Sequence, residues 1–240
     1  MMLYNNIMIR RHWIFLAILT LGLASPAQIH ALKLIDSRLT AVPVPTDALP
    51  IKLVEQTDFD RDGRPETIVL FSGHASIQTG AKIRWQSPET WKVRQAIIAD
   101  LNRDNLPELV LLVWRPFRPW PVDAWLPSAG RIQSFHNQAG LSCHIILIGW
   151  YQNSFRERWA GSALAEPVKA LASADLAGSG KQFLVTLETS YEDSIFAPAR
   201  SLKVWEWNGF GFSIVTKTDG NFSQLVIAHA ENDPALIMVP

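Results

Sequence analysis

The chain has 240 residues, 22 Lys and Arg balanced by 22 Asp and Glu, and ten tryptophans. Length and apolar content suit one or two globular domains and exclude a disordered chain. Zero net charge leaves neither the basic stripe of a nucleic-acid binder nor a cationic face for an anionic membrane, so both partners are set aside.

The first segment reads as a targeting signal. Arg10, Arg11 and His12 precede an apolar run from Trp13 to Ala24, and the small residues Ser25, Pro26 and Ala27 follow, where a signal peptidase would cut. The run is well short of the roughly 20 residues that span a bilayer, which favours a cleaved signal over the alternative of an uncleaved signal anchor. Residues 1–27 are therefore expected to be a signal peptide, and 28–240 an extracytoplasmic domain, secreted or periplasmic. Residues 32–44, LKLIDSRLTAVPV, then supply two strands.

Next comes DFDRDGRPETIVLF, with Asp58, Asp60 and Asp62 at alternate positions, then Gly63, then Glu66 ahead of an apolar run. Carboxylates at positions one, three and five of a tight loop converge on one point. A backbone carbonyl near position seven and a carboxylate at nine then complete a cage of about six or seven oxygens, which suits calcium. Gly63 permits the bend. An EF-hand opens the same way but carries its Glu at position twelve between two helices. Here Glu66 stands at nine, and the flanks IKLVEQT and TIVLF read as strands. The plainer alternative is an acidic turn whose Asp side chains cap their own backbone.

The loop recurs. IIADLNRDNLPELVLLVW repeats it with Asp100, Asn102, Asp104, Asn105 and Glu108 at the same offsets. SADLAGSGKQFLVTLE keeps Asp175 and Gly180 but has Ala177, Ser179 and Phe183 at the ligand positions, so an ordinary turn is expected there. IAHAENDPALIMV is a fainter fourth copy through His229, Glu231 and Asp233, and it too reads as a turn without metal. Between loops lie aromatic segments read as hairpins: IRWQSPETWKV around Ser87, Pro88 and Glu89, LIGWYQNSFRERW turning at Asn153 and Ser154, and LKVWEWNGFGFSIV turning at Asn208 and Gly209 in a type I′ turn.

An insertion at 115–141 lengthens the interval between the second and third loops. Its opening, WRPFRPWPVDAWLP, has too many prolines for a helix or a central strand. Trp114, Phe117, Arg118, Trp120 and Trp125 are its candidate partner-binding residues, since rigid aromatic and arginine side chains suit protein or sugar contacts. The alternative is that they fold back over the domain. Cys143, the only cysteine, excludes an internal disulfide. It and His144 would point to opposite faces of a strand, so they are not a nucleophile and its base.

The acidic loops between strands, repeated through the chain, resemble the FG-GAP or VCBS repeat family, whose units are blades of a β-propeller like the head of integrin α chains. The resemblance covers about 51–239. It implies metal ligands at Asp58, Asp60, Asp62, the carbonyl of Arg64 and Glu66, and at Asp100, Asn102, Asp104, the carbonyl of Leu106 and Glu108. One good calcium site in the first loop and a weaker one in the second are expected, because Asn102 removes a charge and Asn105 replaces the glycine. The expected fold is all-β, a small propeller of about four blades, the last closed by N- and C-terminal strands.

No serine-hydrolase, P-loop or dinucleotide motif is present. The expected function is a non-catalytic, calcium-stabilised binding module for a protein or a cell-surface glycan. Two alternatives stand beside it: a hydrolase or lyase acting on polysaccharide, using carboxylates such as Asp123 with Glu157 or Glu192, and an assembly module completed by a partner chain.

Overall fold

The computed structural model describes residues 29–46, 49–50, 55–119, 125, 134–229 and 234–240, with 49–50 described by backbone alone. The expected signal peptide, Trp120, Asp123, Glu231 and Asp233 lie outside these residues. Strands β1 (His30–Ile35), β2 (Arg38–Val42) and β3 (Leu49–Pro50) come first. The first sheet is β4 (Gln56–Thr57), β5 (Glu66–Phe71), β6 (His74–Thr79) and β7 (Lys82–Gln86). The second is β8 (Lys92–Ala99), β9 (Glu108–Pro116), β10 (Leu141–Tyr151) and β11 (Ser154–Ala160). The third is β12 (Val168–Ala174), β13 (Phe183–Glu188), β14 (Ala199–Trp207) and β15 (Phe212–Phe222). Strands β16 (Val226–His229) and β17 (Leu236–Val239) end the chain.

The architecture is all-β. Each of the first three sheets is an antiparallel meander in chain order. The terminal sheet runs β2-β1-β17-β16-β3, so both ends of the chain build it, with His30 opposite Val239 and Leu32 opposite Ile237. In every sheet the acidic segment joins the same two strands: β4 to β5, β8 to β9, β12 to β13, and β16 to β17. The repeat seen in the sequence is thus a repeat of one supersecondary unit.

Burial explains why some strands are continuous apolar runs and others alternate. In β9 every residue from Glu108 to Val113 is buried. Leu109, Leu111 and Val113 pack with Ile77 and Phe155 against the first sheet. Val110 and Leu112 pack with Leu147, Val168 and Leu184 against the third. A sheet covered on both faces has no polar side to show, hence ELVLLV. A third core joins Val185, Leu187, Leu202 and Val204 to Ile227, Ile237 and Val239 of the terminal sheet. Among the described residues the first sheet is covered on one face, and its β5 carries the exposed Leu70 and Phe71. Among the described residues no apolar core joins the terminal sheet to the first.

Three turn expectations are corrected. IRWQSPETWKV is not a hairpin: it carries the chain from β7 in one sheet to β8 in the next, with Ser87 tied back to Ala75 through both its N–H and its hydroxyl. The β6–β7 hairpin closes instead at Thr79 opposite Lys82. The β10–β11 turn sits one residue earlier than expected, on Gln152 and Asn153, which both take positive φ (48° and 62°). At β14–β15 the connection spans four residues, because the Asn208 carboxamide oxygen accepts the N–H groups of Phe210 and Gly211. Only Gly209 there is left-handed. The stretch before Asp175 is strand β12.

The two-sided burial of β9 sets a clear expectation. Leu111→Ala, at a position with 0% exposure, should lower stability by about 2–5 kcal/mol, read from the urea midpoint at unchanged slope. Phe71→Ala, at 78% exposure, should change it by no more than about 0.5 kcal/mol.

Candidate metal centre

The three described loops share one backbone. Position one accepts amides further along: Asp58 from Asp62 and Gly63, Asp100 from Asn105, and Asp175 from Ala177, Ser179 and Gly180. Positions four and six are left-handed in all three, at Arg61 and Gly63, Arg103 and Asn105, and Gly178 and Gly180. Position two, Phe59, Leu101 or Leu176, is fully buried and plugs the loop into a core. Asn105 takes the left-handed place of Gly63 as its short polar side chain allows. The third loop reaches this conformation with no carboxylate at positions three, five or nine, so the fold of the loop does not itself require an ion.

Carboxylates converge in the first two loops. Asp58, Asp60 and Glu66 each offer an oxygen within 4.8 Å of the others, and so do Asp100, Asp104 and Glu108. Both sets could hold a metal ion. The glutamate at position nine is almost wholly buried in each, and it accepts the N–H of position two: Phe59 to Glu66 at 3.0 Å, Leu101 to Glu108 at 3.2 Å. Asp62, by contrast, is exposed, and its Oδ1 accepts the N–H of Arg64. Asn102 Oδ1 likewise accepts the N–H of Asp104. The converging sets therefore differ: positions one, three and nine in the first loop, one, five and nine in the second.

Their electrostatics differ more. In the first loop Arg84 of β7 donates to Asp60 Oδ2 at 3.0 Å and lies 3.5 Å from Glu66 Oε1. The Thr79 hydroxyl donates to the same Glu66 oxygen and accepts from Arg84. In the second loop, Arg158 meets only the exposed Asp104, at 3.6 Å. Asp100 Oδ1 is buried with no hydrogen-bond partner among the described residues. Burial, with the neighbouring Asp104 and Asp100 charges, pushes the Glu108 carboxyl up to about 8. Arg84, Thr79 and Arg158 lie outside the loop motif, and sequence reading missed them. The only linear signal is the dipeptide Arg-Trp, at Arg84-Trp85 and again at Arg158-Trp159.

The described candidate partner residues differ in burial. Trp114 packs edge-on against Tyr191 at 5.7 Å, and Phe117 lies against His136 at 5.1 Å, both half-buried. Arg118 is exposed, and Trp125 is 87% exposed. A cleft of about 370 Å³ opens nearby, lined by Glu166, Glu188, Tyr191, Glu192 and Arg200. At its wall Lys203 Nζ donates to Glu166 at 2.6 Å and to the buried Glu188 at 2.5 Å. The hydrogen bond to Lys203 holds Glu166 below the usual range, while burial raises Glu188. Sequence reading missed this pair because Glu166 precedes β12 and Glu188 ends β13.

Cys143 and His144 point apart, as expected. The thiol lies in the core between the second and third sheets, where burial pushes it up to about 12. His144 is 5% exposed, with Nε2 at 2.7 Å from Ser142 Oγ and Nδ1 at 2.9 Å from the Gly161 carbonyl oxygen. Burial first, and Arg115 second, bring its ring down to about 4. The unfolded chain takes up this proton near 6.5, and the folded one only near 4. His144 therefore contributes stability that is complete above pH 6.5 and is lost as pH falls through 4. His144→Gln should flatten the dependence of the melting temperature on pH across this window.

Compared with known proteins, the chain matches no family model and no curated protein, so the reading of its site rests on the geometry above.

Proposed function

We propose that this chain is an extracytoplasmic, non-catalytic binding module built as a small four-bladed β-propeller and braced by calcium. Its relation to the FG-GAP or VCBS repeats belongs to the same proposal. Four sheets with an equivalent acidic segment in each support the blade reading, as does the sharing of the terminal sheet by both ends of the chain. Strand β3 pairs with the inner strand β16 of the terminal sheet, and β4 of the first sheet begins only six residues further on. An extended chain covers at most about 3.5 Å per residue, so these two inner edges lie within about 20 Å of each other.

One observation carries the calcium reading. The second loop buries Glu108 and one oxygen of Asp100 beside Asp104, and it offers the inner pair no cationic side chain. Buried carboxylates without a counter-charge are costly, and a hard divalent ion with oxygen ligands resolves that cost. Asp100, Asp104 and Glu108 would hold it, with Asn102 and the Leu106 carbonyl as further oxygens. Calcium at 100 times its Kd should stabilise the protein by about 2.7 kcal/mol, read as a higher melting temperature that a chelator reverses. Asp104→Asn should remove most of that rise, and a rise of undiminished size in this variant would count against the site.

In the partner reading the contact is the insertion, where Trp125 is 87% exposed and is a residue type that anchors interfaces. A glycan array, probed with the domain and with a form in which 115–141 is replaced by a short turn, should show binding lost with the loop. Binding that survives the replacement would place the contact elsewhere.

The polysaccharide hydrolase reading has one observation in its favour, the two carboxyl groups of Glu166 and Glu188 in one cleft. Their oxygens lie on opposite bonds to a single ammonium, at 2.6 and 2.5 Å, so they stand no more than about 5 Å apart with Lys203 between them. The Lys203 ammonium bonded to both carboxylates takes the place that a glycosidic oxygen would need between them. For the assembly reading, β1 and β17 are each paired on both sides, but β2 lies at the edge of the terminal sheet and is the strand a partner chain would extend.

A further inference from the structure

The first two loops sit in equivalent sheets, and each faces an arginine carried on the same β-bulge. In the first sheet Gln78 pairs with Ile83 and Ile77 with Trp85, which leaves Arg84 as the extra residue on the outer strand. In the second, Ile148 pairs with Glu157 and Leu147 with Trp159, which leaves Arg158 in the same place. In the third, Trp205 pairs with Ile214 and Val204 with Thr216, leaving Val215. A bulge re-aims the side chain it carries. Here it turns the extra residue toward the acidic loop of its own sheet. An arginine occupies it in the two sheets whose loops carry converging carboxylates, and a valine occupies it where the loop has none.

One neighbour decides what each arginine does. By register Thr79 and Gly149 hold equivalent positions, beside Glu66 and Glu108. The Thr79 hydroxyl bridges Arg84 to Glu66, and the guanidinium lies over the Trp150 and Phe155 rings at 5.0 and 5.7 Å. Hydrogen bond, charge and aromatic face together pin it onto Asp60 and Glu66, where a metal ion would otherwise sit. Gly149 has no hydroxyl to offer. A Cβ there would stand 2.8 Å from Arg158 Cγ and 3.5 Å from Glu108 Cγ, so the arginine stem occupies the space a side chain would fill. Its head lies 4.4 Å from the Tyr151 ring and reaches the outer carboxylate, Asp104. The inner oxygens of Asp100 and Glu108 stay open to another cation.

We propose that Arg84 is the resident cation of the first loop, so that of the two carboxylate clusters among the described residues only the one at Asp100, Asp104 and Glu108 takes a divalent cation. The inference rests on the metal reading above and inverts the order the sequence suggests, since the loop with the fuller set of aspartates is the one already neutralised. Its content is a stoichiometry.

The test is calorimetric titration of calcium into the metal-stripped mature domain, with terbium luminescence as a second probe. Wild type should bind one ion, Asp104→Asn should bind none or at least tenfold more weakly, and Asp60→Asn should still bind one. Arg84→Met should gain a second ion, and a third substitution, Asp58→Asn, should remove that gain. Two ions on wild type, or one ion lost in Asp60→Asn and kept in Asp104→Asn, overturns the proposal, and both results come from proteins that keep Arg84. No ion on wild type with one gained in Arg84→Met would sink the metal reading of the second loop while leaving the role of Arg84 intact. No ion on wild type and none gained would sink both.

Discussion

A connection between two buried strands leaves backbone amides with no ladder partner, and each must find an acceptor or face water. In three sheets the answer is one aspartate. Asp58, Asp100 and Asp175 accept the amide five residues on, and left-handed residues at positions four and six bring that amide round. Phe59, Leu101 and Leu176 are thereby driven into the cores between sheets. The loops thus do more than connect strands: each plugs the interface on which the next sheet packs.

Everything acidic beyond that aspartate is an elaboration of an already stable turn. The third loop folds without it, whereas the first two add a buried glutamate that clasps the amide of position two and in doing so buries a negative charge. The two sheets meet this charge differently. The first supplies a hydroxyl and a guanidinium; the second supplies a glycine and a displaced arginine, and leaves Glu108 well above the normal carboxylate range.

Much of the fold was legible because its signals are local. Repeated acidic turns and Val and Ile runs located the sheets and the acidic connections, and 32–44 is strand material as expected, but the insertion is shorter than 115–141 because β9 continues through Arg115 and Pro116, paired with Ser142 and Leu141 of β10. The hairpins were less legible. IRWQSPETWKV has the composition of a hairpin, yet Ser87 binds back to Ala75 and the chain leaves for another sheet, a choice made by tertiary contact. At Asn208 a side-chain cap outweighed the turn preference of Asn-Gly. The site was half legible. Spacing located the six carboxylates that gather but also counted Asp62, which turns to the Arg64 amide, and the neutralisation of the first set depends on Arg84 and Thr79, which lie on strands β7 and β6 and join the loop only through sheet register.

The pairing of His30 with Val239 has a temporal consequence. Strand β1 pairs at once with β2 but meets its second neighbour, β17, only about 200 residues further on, and closing so long a loop carries a large entropic penalty before any contact rewards it. The three meanders can each assemble from nearby sequence, whereas the terminal sheet must come last. Until then β1 and β2 remain a free ribbon with an unsatisfied edge, the part of the nascent protein most open to capture by a chaperone or by another copy of itself.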